Sequence, residues 1–139
     1  MSAKDIYHTA VKNAFIKDGW TITADPYPLE YEDIELYPDL AIEKLISETN
    51  TQRKIIIEIK SFISPSLIQD FEKALGQYIL YRNLIQLAQD EYQEIYLAIK
   101  DGIYETFFQR KSIKEIVKLN QLSLVVINME REEIVEWIN

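Results

Sequence analysis

Cysteine is absent from the 139 residues, so neither disulfides nor thiolate metal sites are available. Histidine occurs once, as His8, which removes any histidine-rich metal centre. A metal held here must be bound mainly by oxygen, pointing to magnesium or manganese rather than zinc. No apolar run approaches the ~18 residues that a membrane span requires. The opening Met1-Ser2-Ala3-Lys4-Asp5 lacks the apolar core of a signal peptide. A cytoplasmic location with no membrane partner is the resulting expectation. Positive charge is also short: the formal net charge is −8. That balance is awkward for a free-standing nucleic-acid binder, because phosphate affinity comes largely from Lys and Arg.

What is present suits a soluble globular protein. Hydrophobic residues make up 47% and charged residues 27%. The length fits one domain, 1–139, with a core of its own. The most informative stretch runs Tyr37-Pro38-Asp39-Leu40-Ala41-Ile42-Glu43, then a polar turn, then Lys54-Ile55-Ile56-Ile57-Glu58-Ile59-Lys60. Its second half is too short for a helix and rich in β-branching, which predicts a central strand. Alternation places Ile55, Ile57 and Ile59 on one face and Ile56, Glu58 and Lys60 on the other. A carboxylate and an ammonium ending such a strand must meet each other, a metal ion or an open cleft, since burying either alone is expensive.

Around this stretch the chain divides readily. Ala3 to about Lys17 reads as an amphipathic helix capped by Ser2 and ended by Gly19. Trp20–Thr23 is a short strand, broken by Asp25-Pro26-Tyr27-Pro28. The acids of Glu30–Glu35 read as a solvated loop. Asp39–Glu43 and Lys54–Lys60 form a hairpin around Ser47–Asn50. Ser64-Pro65 predicts a helix start with Ser64 as N-cap, running to about Leu87 with Leu67/Ile68, Phe71, Leu75, Tyr78/Ile79 and Ile85 buried. Tyr92–Lys100 is a strand, Asp101-Gly102 a turn, and 103–119 one or two short helices. Leu122–Asn128 and Glu133–Ile138 are final strands. The order predicts an α/β fold, a mixed central sheet flanked by helices. Trp137, Ile138 and the edge strands are candidates for a homodimer surface.

The separation of 19 residues lets an antiparallel pair bring Asp39 beside Glu58 and Lys60. Two carboxylates and a strand carbonyl, such as that of Ile59, can hold Mg2+ (or Mn2+) while water and a substrate phosphate complete the shell. A neighbouring lysine can orient or deprotonate the attacking water and offset charge building on phosphate. Those are the parts that phosphodiester hydrolysis requires. Each has an ordinary alternative: a strand-end ion pair for Glu58 and Lys60, a turn residue for Asp39.

Pro38-Asp39 followed by Glu58-Ile59-Lys60 resembles the PD-(D/E)xK signature of the restriction-endonuclease-like nucleases. Gln77 and Tyr81, one helical turn apart, match the QxxxY element of RecB-type members; packing of a helix edge is the alternative. Where the first helix of such proteins often supplies an extra acid, this sequence has His8, read either as a ligand or as a satisfied histidine. Ala3–His8, Val11–Ala14, Glu58–Phe62, Glu72–Tyr78 and Glu133–Ile138 resemble the XisH family, cyanobacterial fdxN-element excision controlling factors, over essentially the whole chain. The resemblance implies control of programmed excision of a DNA element in heterocyst development, beside a site-specific recombinase and an XisI-type companion. Three expectations follow: a metal-dependent DNA endonuclease, an accessory protein whose site is weak or inactive, or a nuclease restrained by its companion.

Overall fold

The computed structural model describes residues 6–139; the Ser2 cap and the first residues of the expected helix lie outside them. Six strands form the main sheet, in the order β1-β4-β5-β6-β7-β8. They are β1 (Thr21–Ala24), β4 (Leu40–Ile46), β5 (Thr51–Ile59), β6 (Glu94–Lys100), β7 (Leu124–Asn128) and β8 (Glu133–Ile138). The pairs β5/β6 and β6/β7 are parallel and the others antiparallel, so the sheet is mixed. Helix α1 (His8–Lys17) covers one face. Helices α2 (Leu67–Ala88), α3 (Asp101–Glu105) and α4 (Lys111–Leu119) belong to the other, with a 3-10 turn at Phe107–Gln109. Among the described residues no helix is long and apolar enough to cross a membrane.

The alternation expected of β5 organises both cores. Ile55, Ile57 and Ile59 pack with Val11, Phe15, Trp20 and Leu40 beneath α1. Ile56 packs on the opposite face with Ala41, Phe71, Tyr78 and Leu97 beneath α2. Parallel strands joined by helices are covered on both faces, which is why β6 and β7 are buried along nearly their whole length. Trp137 turns inward from β8, its ring 5.9 Å from Phe15, 5.6 Å from Trp20 and 4.9 Å from Tyr96. Gly19, with φ of +90°, ends α1 in the left-handed turn that its position predicts.

Four expectations are corrected. Glu30–Glu35 is not a loop: β2 (Leu29–Tyr31) and β3 (Ile34–Leu36) form a separate hairpin, with Glu30 opposite Glu35. Fully buried Leu29 and half-buried Tyr31 and Leu36 anchor it, while the acids face out. The N-cap of α2 is Ser66 rather than Ser64. Ser66 has the extended backbone a cap needs and accepts the Gln69 N–H at 3.3 Å. Ser64 instead gives its N–H to Asp70, tying the loop to the first turn. Ile68 is 50% exposed, and the buried stripe of α2 runs through Phe71, Ala74, Tyr78, Tyr81, Leu84 and Ile85. Asp101-Gly102 opens α3 instead of forming a turn.

Candidate metal centre

The site sits at the carboxyl end of β5, the end of a parallel strand where open α/β sheets place their ligands. The β4/β5 register pairs Leu40 with Ile57. One further step brings Asp39 opposite Glu58, and here side chains replace the ladder. The Asp39 N–H donates to Glu58 Oε1 at 3.2 Å, and Ile59 N–H donates to Asp39 Oδ2 at 2.8 Å. Lys60 N–H donates to Ala98 O on the β6 side. Backbone groups alternate direction along a strand, so the Ile59 N–H and C=O both turn toward β4 and Asp39. The expected trio therefore converges, with the Ile59 carbonyl on the same side. Lys60 Nζ lies 3.5 Å from Glu58 Oε2.

Electrostatics here are strained. Glu58 is only 5% exposed. Burial, and then the charge of Asp39, push its carboxyl up to about 8, with Lys60 opposing. Asp39 is raised as well by burial, despite the Ile59 N–H and the hydrogen bond with Glu58. Two crowded carboxylates beside one ammonium leave a deficit of positive charge, which a proton or a divalent cation can fill. The donors are all oxygen, matching the preference of Mg2+ and Mn2+. The residues present thus fit such an ion through Asp39, Glu58 and the Ile59 carbonyl.

Tyr81 reaches this region from α2. Its hydroxyl is held in the protonated form first by burial and then by the charges of Glu58 and Asp39. Gln77 lies one turn earlier on the same helix, its buried Oε1 without a partner among the described residues. The site opens at Lys60 into a depression of about 450 Å3 also lined by Ser61, Phe62, Ser64, Asp70 and Lys73. Phe62 holds φ of +53°, unusual for a bulky residue. Its ring is fixed by Phe107 and Phe108, at 6.0 and 5.4 Å between centroids, which keeps the chain turned after Lys60. A larger cavity of about 670 Å3, between Tyr104, Phe108, Val117, Leu122 and Ile138, lies apart from the carboxylates.

His8 is buried, 5% exposed, with Nε2 2.8 Å from Asp25 Oδ1. Lys12 Nζ takes the other Asp25 oxygen at 2.7 Å. Burial works to raise the Asp25 carboxyl, but the hydrogen bonds and charges of Lys12 and His8 outweigh it and hold it below the usual range. His8 Nδ1 has no partner among the described residues, and the His8 charge is felt at Asp39. His8 is thus satisfied on one nitrogen and lies beside the trio on the other core face. Lys12 and Asp25 were not candidates from sequence. Only the break at Asp25-Pro26 marked the place, and nothing in the spacing tied it to His8.

The family described as XisH protein matches residues 1–135. The crystal structure of an XisH family protein from Nostoc punctiforme PCC 73102 is 38% identical, with a TM-score of 0.86 over 97% of this chain and 100% of that one. That of an fdxN element excision controlling factor protein from Anabaena variabilis is also 38% identical, with a TM-score of 0.86 over 98% of this chain and 100% of that one. No curated protein matches the chain. Family match, sequence identity and near-complete structural overlap agree: the chain belongs to the XisH family.

Proposed function

We propose that this protein is a metal-dependent DNA phosphodiesterase, with a restriction-endonuclease-like arrangement, that acts in controlled excision of a DNA element. The observation that carries the reading is the mutual lock of Asp39 and Glu58. Each carboxylate accepts a backbone N–H beside the other, in a buried place where their charges conflict. A purely structural role gives no physical reason to keep two carboxylates and a lysine together there. A bound Mg2+ or Mn2+ would lower the pKa of its water and draw charge from the phosphate. Asp39, Glu58 and the Ile59 carbonyl hold and orient; Lys60, at the open edge, positions the water and offsets charge on the phosphate. Tyr81 faces the Asp39 and Glu58 charges from α2, and Gln77 stands one turn earlier on that helix.

The relative from Anabaena variabilis is named an fdxN element excision controlling factor. We carry that role over as the setting, together with an XisI-type companion and a recombinase. The net charge of −8 favours a second reading, in which the protein regulates recombination through these partners and its site contributes little hydrolysis. Manganese calorimetry and cleavage of supercoiled DNA decide between them, run with and without the companion, beside Glu58→Ala and Lys60→Ala. Loss of cleavage in both variants supports the enzyme. No cleavage under any pairing, and no heat lost in Glu58→Ala, leaves the accessory reading.

A further inference from the structure

The protein is acidic, yet one exposed surface is strongly basic. Arg110, Lys111, Lys114 and Lys118 fall within nine residues, opposed only by Glu115. On α4 the spacing 111, 114, 118 puts three lysines on one face. The opposite face is fixed by buried Ile113 and by Ile116 and Val117 against the core, so the basic face is held outward.

Pairing sets these cations apart from several others. Lys12, Lys44, Arg53, Lys54 and Lys60 each meet a carboxylate. Among the described residues Arg110, Lys114 and Lys118 form no ion pair. The Lys111 side chain, 93% exposed, reaches only Glu115, at the outer distance of 4.0 Å. Among the described residues Lys17, Lys73, Arg82, Lys100 and Arg131 also show no ion pair, but they are scattered over other elements, whereas Arg110–Lys118 gathers four cations within nine residues with a single long pair.

The topology aims this stripe. Strand β6 runs parallel to β5 and ends beside Lys60, and the chain enters α3 directly from Lys100. Helix α4 then returns toward the start of β7, where Leu124 lies beside Leu97. Arg82, deep in α2, holds the Asn120 and Gln121 carbonyls at that far end. The Arg110 end of the stripe is thus at the same end of the sheet as Asp39, Glu58 and Lys60. The link is short: the Arg110 guanidinium sits 5.0 Å over Phe107, which packs at 6.0 Å on Phe62, two residues past Lys60. From Lys111 to Lys118 is about 10 Å of helix axis, over which duplex DNA presents roughly six phosphate charges.

We propose that the Arg110–Lys118 face of α4 is a track for the DNA phosphate backbone that leads a duplex to the β5 site. The choice of DNA over an acidic protein rests on the function proposed above and on the stripe's Arg110 end lying at the same end of the sheet as that site. Contacts of this kind position the duplex without reading its sequence. They also let an acidic protein engage a polyanion, because screening confines the repulsion of distant acids to about a Debye length.

The test is fluorescence anisotropy of a labelled mixed-sequence duplex with the full chain, in EDTA so that nothing is cut, from about 25 to about 200 mM salt. Four phosphate contacts give a log–log salt slope of roughly −3.6, a loss on the order of a thousandfold over that range. A variant combining Lys111→Gln, Lys114→Gln and Lys118→Gln should lower the slope by roughly 3 and weaken low-salt binding more than tenfold. A control combining Lys17→Gln, Lys44→Gln and Lys54→Gln, equal in net charge, should leave the slope within about one. Melting temperatures confirm that both variants are folded. An unchanged slope in the α4 variant, an equal drop in the control, or no binding by the wild type overturns the track. An unchanged slope together with lost binding to an acidic protein would assign the stripe to that partner instead. The two readings fail separately: manganese-dependent cleavage surviving in Glu58→Ala sinks the site and leaves the track standing, whereas an unchanged slope in the α4 variant sinks the track and leaves the site standing.

Discussion

Replacing Glu58 by Gln should stabilise the metal-free protein at alkaline pH. The Glu58 carboxyl, near 4.5 when unhindered, is raised to about 8 in the fold by burial and by Asp39. Between those values the folded chain keeps a proton that the unfolded chain has released. The native state therefore binds more protons, and stability falls as pH rises through this window. Each unit is worth about 1.36 kcal/mol, so the full loss is on the order of 5 kcal/mol, and Asp39, raised in the same direction, adds to it. The contribution is complete below pH 4.5 and gone above about 8. In Glu58→Gln nothing titrates at that position, while the amide oxygen still accepts the Asp39 N–H and the amide nitrogen can donate to the Asp39 carboxylate. Urea unfolding in EDTA, read by Trp20 and Trp137 fluorescence from about pH 5 to about pH 8.5, should show wild-type stability falling by several kcal/mol. The variant should stay nearly flat and cross above wild type. Manganese at hundredfold excess over its Kd should return about 3 kcal/mol to wild type at the alkaline end and nothing to the variant. A wild-type stability that is level or rising across the window, or a variant that follows the wild-type slope, refutes the crowding of these carboxylates.

Lys60→Ala should reduce DNA cleavage by about 10²–10³-fold while the manganese binding heat persists, because its ammonium acts on water and phosphate rather than on the ion; plasmid nicking and calorimetry on one preparation check both. Asp25→Asn should cost about 1–3 kcal/mol near neutral pH, since it weakens the acceptor shared by buried His8 and Lys12. Asp25 is lowered in the fold, so its contribution is present above the ordinary 3.8 and lost as pH falls below it; wild type and variant should converge in acid denaturation. Trp137→Ala should cost about 3–5 kcal/mol by removing a ring packed on Phe15, Trp20 and Tyr96, measured as a shift of the urea midpoint.

The central hairpin was legible because three signals coincide in it. β-Branching marks β5, alternation assigns its faces, and the 19-residue separation sets Asp39 against Glu58 once the turn closes. The β2/β3 hairpin was hidden because its acids outweigh the alternation of Leu29, Tyr31 and Leu36 that anchors it. Local chemistry around 64–66 offers two serines as caps, and only the turn after Phe62 decides for Ser66. The His8–Asp25–Lys12 link could not be read at all: it joins a helix to an irregular segment 17 residues away, and no periodicity relates them. Upward displacement of both site carboxyls is likewise a property of the assembled burial, not of the motif.

Net charge was the strongest sequence objection to a phosphate-directed site, and its distribution answers it. Four acids, Glu30, Glu32, Asp33 and Glu35, are gathered on the β2/β3 hairpin. Glu30 and Glu35 face each other there, and burial and that repulsion raise the Glu35 carboxyl. Asp39 and Glu58 belong to the site itself, where a divalent ion would reverse the sign that a substrate phosphate meets. The densest group of exposed cations is on α4, with its Arg110 end at the same end of the sheet as the site. A polyanion approaching along α4 meets unpaired lysines first and the carboxylates only where the ion would shield them. Charge on this protein is therefore best treated as a local quantity. Neutralising the α4 lysines should cost DNA affinity far more than an equal change elsewhere, although both move the net charge by the same amount.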